Sequence, residues 1–209
     1  MAYQMSTHFT IFDVETNGLH PGRFSVLSFS ALQVQTWRSN GQRHFKVQQE
    51  FDRYYYPQEP YNYHAIKVNG LTQKVITRKR SRTGGDYPLH FAQDMEVPVF
   101  CRQVELAVCH NTPFDTKFLQ QAHNYEFPST FCTMRTFTSY CAIPHHHFGI
   151  KWPKLEEAVQ IICGRDDFEF HDSLADCYAV LEILKVMGNS GGVNGEHRWS
   201  DIFDRVFGV

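Results

Sequence analysis

Three stretches rich in β-forming residues open the chain and constrain its fold more than any other feature. They cover residues 8–13, 24–37 and 42–56. The last two are separated by Asn40-Gly41, a dipeptide typical of tight hairpin turns, and Gly18, Pro21 and Gly22 supply a turn between the first two. The sequence therefore predicts three consecutive antiparallel strands.

The sequence pattern changes after residue 56, where short apolar segments alternate with segments that have helical periodicity. Strands are predicted at residues 105–109 and 130–133, and helices at 63–68, 113–123, 134–141, 153–162 and 174–187. A helix over 89–103 should be broken at Pro98, and Thr112 is the predicted N-cap of the helix that begins at Pro113. This order predicts an α/β fold with a mixed five-stranded sheet and helices on its faces.

Length and composition indicate one globular domain. We expect it to cover residues 1–188, followed over 189–209 by a linker and a short amphipathic tail. The tail, through Trp199, Ile202 and Phe203, either folds back on the domain, which we favour, or binds a partner. The chain has no run of about 18 apolar residues and no charged-then-apolar leader, so we expect no membrane span and no export. Six cysteines without a Cys-x-x-Cys pair favour a reducing, cytoplasmic location.

Positive charge is scarce and local. The formal net charge is −2, which does not favour a protein that holds duplex DNA by charge alone. Residues 74–82 form one basic run, containing Lys74, Arg78, Lys79, Arg80 and Arg82. That run is either a local contact for nucleic acid or a solvated loop.

Three consecutive histidines, His145, His146 and His147, are the one candidate for a transition-metal site. Neighbouring histidines cannot easily converge on one ion, and the spacing typical of zinc ligands is absent. An exposed loop is the favoured interpretation.

Asp13 and Glu15 form a carboxylate pair at the end of the first predicted strand. Residues i and i+2 of a strand point to the same face, so the two side chains project together among Ile11, Phe12 and Val14. Paired carboxylates in apolar surroundings repel each other and lose hydration, and a divalent cation is the usual compensation. Ligands that are all oxygen favour Mg²⁺ or Mn²⁺. The alternative is a strand that simply ends in a polar turn.

Asp115 is predicted in the first turn of the helix that follows the fourth strand, close to His110, Asn111 and Phe114. It could point toward Asp13 and Glu15. Alternatively, the helix dipole alone would favour an acid there, and Phe114 and Phe118, four residues apart, could both belong to the core.

His171 and Asp176 lie at the start of the last long helix. If both residues were on one helix, their side chains would point about 140° apart around its axis. The two side chains can therefore meet only if His171 precedes the helix, with Asp172 or Ser173 as N-cap. The alternative is a capping box in which Ser173 and Asp176 merely close the first turn.

Taken together and in this order, the three motifs resemble the DEDDh family of 3′→5′ exonucleases, which includes polymerase proofreading subunits. The resemblance extends to residues 64–72, 132–134 and 154–158 and covers about 8–187. Asn17 and Ser173 depart from it, since Thr and Ala are common at those positions. The resemblance implies a ribonuclease H-like fold and a hydrolase that acts on the 3′ end of a nucleic-acid strand. We favour DNA as the substrate, and the lack of a long basic surface favours a single-stranded end over long duplex.

The family pattern also implies roles for individual residues. Two Mg²⁺ or Mn²⁺ ions would be held by Asp13, Glu15, Asp115 and Asp176, with His171 as general base and a nucleoside 5′-monophosphate as product. Contacts to the terminal nucleotide would come from Thr16, Gly18, Leu19, His110, Asn111, Phe114 and Phe118. The alternatives are an exoribonuclease and a non-catalytic nucleic-acid-binding relative. A homodimer, or a polymerase or clamp bound through the tail, is a further expectation.

Overall fold

The fold is built on one five-stranded sheet. A computed structural model describes residues 6–147, 149–190 and 199–208. The strands are β1 (Ser6–Thr16), β2 (Val26–Ser39), β3 (Gln42–Tyr54), β4 (Leu106–Cys109) and β5 (Ser129–Cys132), in the order β3-β2-β1-β4-β5. The first three are antiparallel neighbours, whereas β4 runs parallel to β1 and β5 parallel to β4. The mixed ribonuclease H-like sheet predicted from the sequence is confirmed.

Helices pack on both faces and beside the end of the sheet. They are α1 (Tyr63–Asn69), α2 (Gln73–Arg82), α3 (Glu96–Cys101), α4 (Thr112–His123), α5 (Thr133–Cys141), α6 (Leu155–Cys163), α7 (Ser173–Asn189) and α8 (Trp199–Phe207). A 3-10 turn, Phe91–Gln93, precedes α3, so the expected broken helix over 89–103 is confirmed, but the break falls at residues 94–95 and Pro98 lies within the first turn of α3.

Successive side chains of β1 point to opposite faces of the sheet and so contribute to two separate layers of the core. Phe9 and Ile11 pack in a cluster with α5, α6, α7 and α8, whereas Phe12 and Val14 pack with α3, α4 and the 3-10 turn. The inner strands β1, β2 and β4 are buried on both faces over most of their length, as expected for the centre of a three-layer α/β domain. Asp13 and Glu15 follow Phe9 and Ile11 at intervals of two, so they continue the layer that α7 covers.

Two local predictions are wrong. Asn111, not Thr112, is the N-cap of α4; its φ is +77°, and Thr112 is already helical, its hydroxyl donating to the Phe131 carbonyl at 3.1 Å. The basic run is not a loop but the helix α2, since the Thr72 hydroxyl caps it by accepting from the Val75 N–H at 3.3 Å.

The C-terminal helix α8 folds back on the domain, as favoured from the sequence. Phe203 and Phe207 are buried in the α7 layer and stack with ring centroids 4.1 Å apart. The Arg43 guanidinium lies 4.6 Å from the Phe203 ring and forms an ion pair with Asp204. Most of the predicted linker, residues 191–195, lies outside the described residues. A partner bound through the tail remains a prediction, and it would have to use the exposed face of α8.

The structure also shows the state of the histidine run and of the cysteines. His145, His146 and His147 lie exposed in the loop after α5, and all six cysteines are free thiols. Within the described ranges, no helix is both long enough and apolar enough to cross a membrane.

Candidate active site

Three carboxylates meet where β1 ends and α7 begins. Asp13 and Glu15 project from β1, and Asp176 projects from the first turn of α7, which packs across the same face of the sheet. One oxygen atom from each lies within 4.8 Å of those of the other two. The predicted convergence of Asp13, Glu15 and Asp176 is therefore present.

Asp115 approaches the same strand from the opposite layer. Because β1 and β4 are parallel, their carboxyl ends adjoin, and α4 begins beside the end of β1. The Val14 N–H donates to Asp115 Oδ1 at 3.2 Å, so this carboxylate is held against the backbone between Asp13 and Glu15. The helix dipole alone therefore does not account for Asp115, which is only 2% exposed.

The four acids share an environment that disfavours their charged forms. Burial, followed by repulsion from Asp115, holds the pKa of Asp13 well above its usual value, and burial does the same to the pKa of Asp115. Burial and then repulsion from Asp176 raise the pKa of Glu15 to about 8. Burial raises the pKa of Asp176 to about 7. A cluster of this kind is costly to ionise unless positive charge enters it.

Two atoms in the cluster point to a cation as the missing partner. Asp13 Oδ2 and Asp176 Oδ1 are buried, and neither accepts a hydrogen bond from any described group. Buried carboxylate oxygens without donors are rare in folded proteins, and a metal ion would satisfy both. The ligands are all oxygen, which fits Mg²⁺ or Mn²⁺ better than zinc. Across the residues that the structure describes, no other trio of potential ligands meets so closely.

His171 lies in the loop before α7, as its convergence with Asp176 required. Its φ of +65° bends the loop, its backbone N–H donates to Asp176 Oδ2 at 3.3 Å, and its ring is exposed. Asp172 is the N-cap, accepting from the Ala175 N–H at 3.2 Å. The capping-box alternative is wrong, because Ser173 is the first helical residue and its hydroxyl bonds to Ser28.

The His110 ring, expected to contact substrate, has hydrogen-bond partners inside the protein. Its Nε2 lies 2.9 Å from the Pro153 carbonyl, which can only accept, so Nδ1 is left to accept from the Thr133 hydroxyl at 3.0 Å. Burial lowers the pKa of His110 to about 4, so the ring is neutral near pH 7. With both nitrogens engaged, His110 ties the β4–α4 loop to residues 133 and 153. Asn111 is the left-handed N-cap beside it.

A cavity of about 450 Å³ opens beside Glu15. Four of the residues expected to contact substrate line it: Thr16, Gly18, Leu19 and Phe114. The rest of the wall comes from Val14, His20, Phe24, Asn62, His64, Ala65, Val68 and Asn69. Phe118 does not line this cavity; it is 2% exposed and packs in the core, 5.1 Å from the Phe114 ring. The expectation that Phe118 stacks on a base is therefore wrong, because its ring is not accessible.

The loop after β1 requires two specific residues. A Cβ on Gly18 would lie 2.5 Å from the Phe24 ring, so no larger residue fits without displacing that wall of the cavity. Asn17, which departs from the family pattern, is completely buried. Its amide donates to Glu59 at 2.8 Å and accepts from the Asn62 N–H at 2.9 Å, which fixes the segment leading into α1.

Two contributors were not identified from the sequence. The Asn69 side chain donates to the Thr16 carbonyl at 3.1 Å, and a side-chain hydrogen bond from it also lowers the pKa of Glu15. Asn69 stands inside the family-like segment 64–72, which was the available signal. Lys79 forms an ion pair with Asp172, the residue after His171. The basic run contained Lys79, but nothing in the sequence distinguished this inward-facing lysine from its neighbours.

A second polar row crosses the sheet beside the carboxylates. Ser28 and Ser30 lie opposite Glu15 and Asp13 in the β1–β2 register. The Ser30 hydroxyl donates to Asp52 on β3 at 2.7 Å. Burial raises the pKa of Asp52, whereas its bond from Ser30 acts in the opposite direction.

Further along the same face, Tyr54 lies opposite Ser28, and its hydroxyl donates to Asp172 at 3.4 Å. Lys79 Nζ donates to that hydroxyl at 3.3 Å. The Ser173 hydroxyl, 2.7 Å from that of Ser30, joins α7 to this row.

Comparisons with known proteins identify the family and the fold. The sequence model of the exonuclease family described as RNase_T matches residues 10–184. The chain is similar in structure to E. coli exonuclease I bound to a dA16 oligonucleotide (17% identity, TM-score 0.62) and to a dT13 oligonucleotide (18% identity, TM-score 0.65). The zinc-bound form of the exonuclease I complex with single-stranded DNA is also similar (16% identity, TM-score 0.61).

These alignments cover 94–95% of this chain but only 42–43% of exonuclease I, so the chain spans less than half the length of those proteins. Identities of this size show a shared fold. No curated protein matches the chain in sequence. The family match, in contrast, extends from β1 into α7 and includes all four acids and His171. The chain belongs to the RNase_T exonuclease family.

Proposed function

We propose that the chain is a metal-dependent 3′→5′ exonuclease of the DEDDh type, which removes nucleotides from the 3′ end of single-stranded DNA as nucleoside 5′-monophosphates. One observation carries this proposal. Oxygen atoms of Asp13, Glu15 and Asp176 lie within 4.8 Å of one another. Two buried oxygens in the cluster that lack donors, and the nucleotide-sized cavity beside it, support the same conclusion.

The acids supply the metal ligands in this proposal. Asp13, Glu15 and Asp176 would hold one divalent ion, Asp13 would also reach a second, and Asp115 would assist through water. Bound ions would lower the pKa of water and stabilise the leaving 3′ oxygen. The raised pKa values of Glu15 and Asp176 support this assignment. A bound cation stabilises the charged form of a carboxylate most where no group of the protein compensates that charge.

His171 would take the proton from the attacking water. Its exposed ring, in the loop whose backbone is bonded to Asp176, is free to face both the cluster and solvent. Attack on the last phosphodiester breaks the bond between phosphorus and the 3′ oxygen of the preceding nucleotide. The phosphate then leaves on the 5′ oxygen of the terminal nucleotide, which accounts for a 5′-monophosphate product.

The cavity would bind the terminal nucleotide. Thr16, Gly18 and Leu19 would line its sugar and base, and the Phe114 ring would stack on a base, a contact worth about 1–3 kcal/mol. A net charge of −2 does not favour a grip on long duplex, and E. coli exonuclease I, which has a similar fold, was solved in complexes with dA16 and dT13 oligonucleotides and with single-stranded DNA. We therefore favour single-stranded DNA as the substrate.

The test is the decay of end-labelled single strands of DNA and RNA that have the same sequence, with and without Mg²⁺ or Mn²⁺. We expect stepwise loss from the 3′ end of DNA, only with metal, and nucleoside 5′-monophosphates by mass spectrometry. Faster decay of RNA would make the chain an exoribonuclease. Binding of both strands without decay would support the non-catalytic alternative and contradict the proposal.

A further inference from the structure

One face of α2 carries a row of three cations. Lys74, Arg78 and Arg82 are spaced four residues apart, so they follow one another along one side of the helix at intervals of roughly 6 Å. All three are exposed. None forms an ion pair with a described residue, although eight other lysines and arginines do. We call these three residues the α2 stripe.

The other two cations of the basic run are used inside the protein. Lys79 pairs with Asp172, and the buried Arg80 donates to backbone carbonyls, including that of Tyr54 at 2.7 Å. Ile76, also on α2, is fully buried. These contacts fix the helix and leave the α2 stripe directed at solvent, which separates the structural cations of the run from the unpaired ones.

The fold places helix α2, which carries the stripe, close to the proposed nucleotide site. The preceding helix α1 lines the cavity with His64, Ala65 and Val68, and only residues 70–72 separate it from α2. On the other side, Lys79 contacts the residue that follows His171. A strand that emerges from the cavity therefore meets α2 close by.

We propose that the α2 stripe binds the phosphodiester backbone of the substrate strand, behind the nucleotide that is being removed. The proposal rests on the proposed function. A row of unpaired cations matches a chain of phosphates, and each contact releases counterions from the nucleic acid. In a chain with a net charge of −2, this row is where positive charge accumulates. The contact is independent of sequence, because phosphates carry no base identity.

The proposal predicts a dependence on strand length. Under this proposal a dinucleotide would occupy the cavity without contacting the α2 stripe, whereas a 20-nucleotide strand would contact both. Neutralising the stripe should therefore weaken the binding of long strands and reduce its salt dependence, while dinucleotide hydrolysis stays unchanged.

The test compares two triple variants with the unmodified chain. K74Q/R78Q/R82Q removes the stripe. K46Q/R102Q/R205Q removes the same charge at the other end of the sheet. Lys46 pairs in the β2–β3 register with Gln35, Arg102 ends α3 shortly before β4, and Arg205 lies by the first residues of β1, β4 and β5. Circular dichroism melting establishes that both variants fold.

Binding of fluorescent dT20 is measured by anisotropy in EDTA, which prevents cleavage, from 50 to 200 mM salt. A plot of log affinity against log salt has a negative slope. We expect this slope to become shallower by roughly 2 in the stripe variant, about 0.7 for each lost contact, and to change less in the control. Equal slopes in the two variants would overturn the proposal.

Hydrolysis of pdTpdT with Mg²⁺ is measured separately. Unchanged dinucleotide turnover in the stripe variant supports the proposal, and a loss equal to that for dT20 would contradict it. If no chain hydrolyses either substrate, the proposed function fails, but the anisotropy comparison still decides whether α2 binds the strand.

Discussion

The carboxylates on β1 and the polar row on β2 and β3 share one face of the sheet but differ in how their charge is compensated. In the polar row, Asp52 accepts from the Ser30 hydroxyl, and Asp172 pairs with Lys79. On β1, buried oxygens of Asp13 and of the facing Asp176 have no donor. The protein satisfies the first set itself and leaves the second set for a ligand.

The difference separates structural polar groups from functional ones. Both sets are partly or fully buried and both contain acids with raised pKa values, so neither burial nor pKa alone distinguishes them. The presence or absence of an internal partner does. Four experiments test this distinction.

The largest expected effect follows from Asp13→Asn. The amide cannot replace an anionic metal ligand, so turnover should be abolished. Burial raises the pKa of Asp13, so keeping this carboxyl group in the metal-free protein costs stability, and a neutral amide avoids that cost. The metal-free variant should therefore melt a few degrees higher; about 1 kcal/mol shifts the Tm of a domain this size by about 2–4 °C. Oligonucleotide hydrolysis and calorimetric melting in EDTA measure the two effects. A variant that is less stable and still active would contradict the account.

His171→Ala should lower turnover about 10²–10⁴-fold, the usual contribution of a general base. Metal binding should persist, because His171 is not one of the three residues whose oxygens meet. Turnover and Mn²⁺ affinity are measured on the same preparation, with His145→Ala, an exposed histidine in another loop, as the matched control. Normal cleavage by the His171 variant would show that the base is assigned incorrectly.

The metal-free protein should lose stability as pH rises. The pKa values of Asp176 and Glu15 are raised to about 7 and about 8, so the native state retains protons that the unfolded chain has already lost. Stability is therefore greatest below the unfolded carboxylate pKa values and falls through pH 7–8, by up to about 1.4 kcal/mol per pH unit for each retained proton. Urea unfolding in EDTA at pH 5 to 9 tests this sign. Added Mg²⁺ should flatten the profile, and a metal-free protein that becomes more stable toward pH 9 would contradict it.

Lys79→Met probes the compensated set and should have the smallest effect. Since the Lys79–Asp172 pair is partly exposed, its loss should lower the free energy of unfolding by about 1 kcal/mol or less. Turnover should decrease modestly, because Asp172 caps the helix beside His171. Lys74→Met, an unpaired lysine on the same helix, is the control in urea unfolding. Equal effects of the two substitutions would mean that Lys79 does not stabilise this row.

The sequence predicted the sheet well because its signals are local. The Asn40-Gly41 turn, the alternation along β1 and the apolar β4 follow from neighbouring residues, and each strand was found within a few positions. The positions of Asp13, Glu15, Asp115 and Asp176 could also be anticipated, since each lies at the end of a strand or the start of a helix.

What could not be predicted depends on contacts between distant segments. Whether Phe114 or Phe118 faces the cavity is decided by how α4 rotates against the core, which residue spacing leaves open. His110 matches a motif, yet its partners come from residues 133 and 153. The basic run looked uniform, but tertiary packing divides it into Lys79 and Arg80, which are bonded internally, and the α2 stripe.

Titration calorimetry with Mn²⁺ tests the central claim most directly, that Asp13, Glu15 and Asp176 form a cation site that holds protons when metal is absent. Titrations at pH 7 in two buffers with different ionisation enthalpies give the protons released per ion bound. We predict binding with net proton release that diminishes toward pH 9, and no binding by Asp13→Asn. Absence of Mn²⁺ binding by the unmodified chain, or binding that releases no protons and survives Asp13→Asn, would contradict the account.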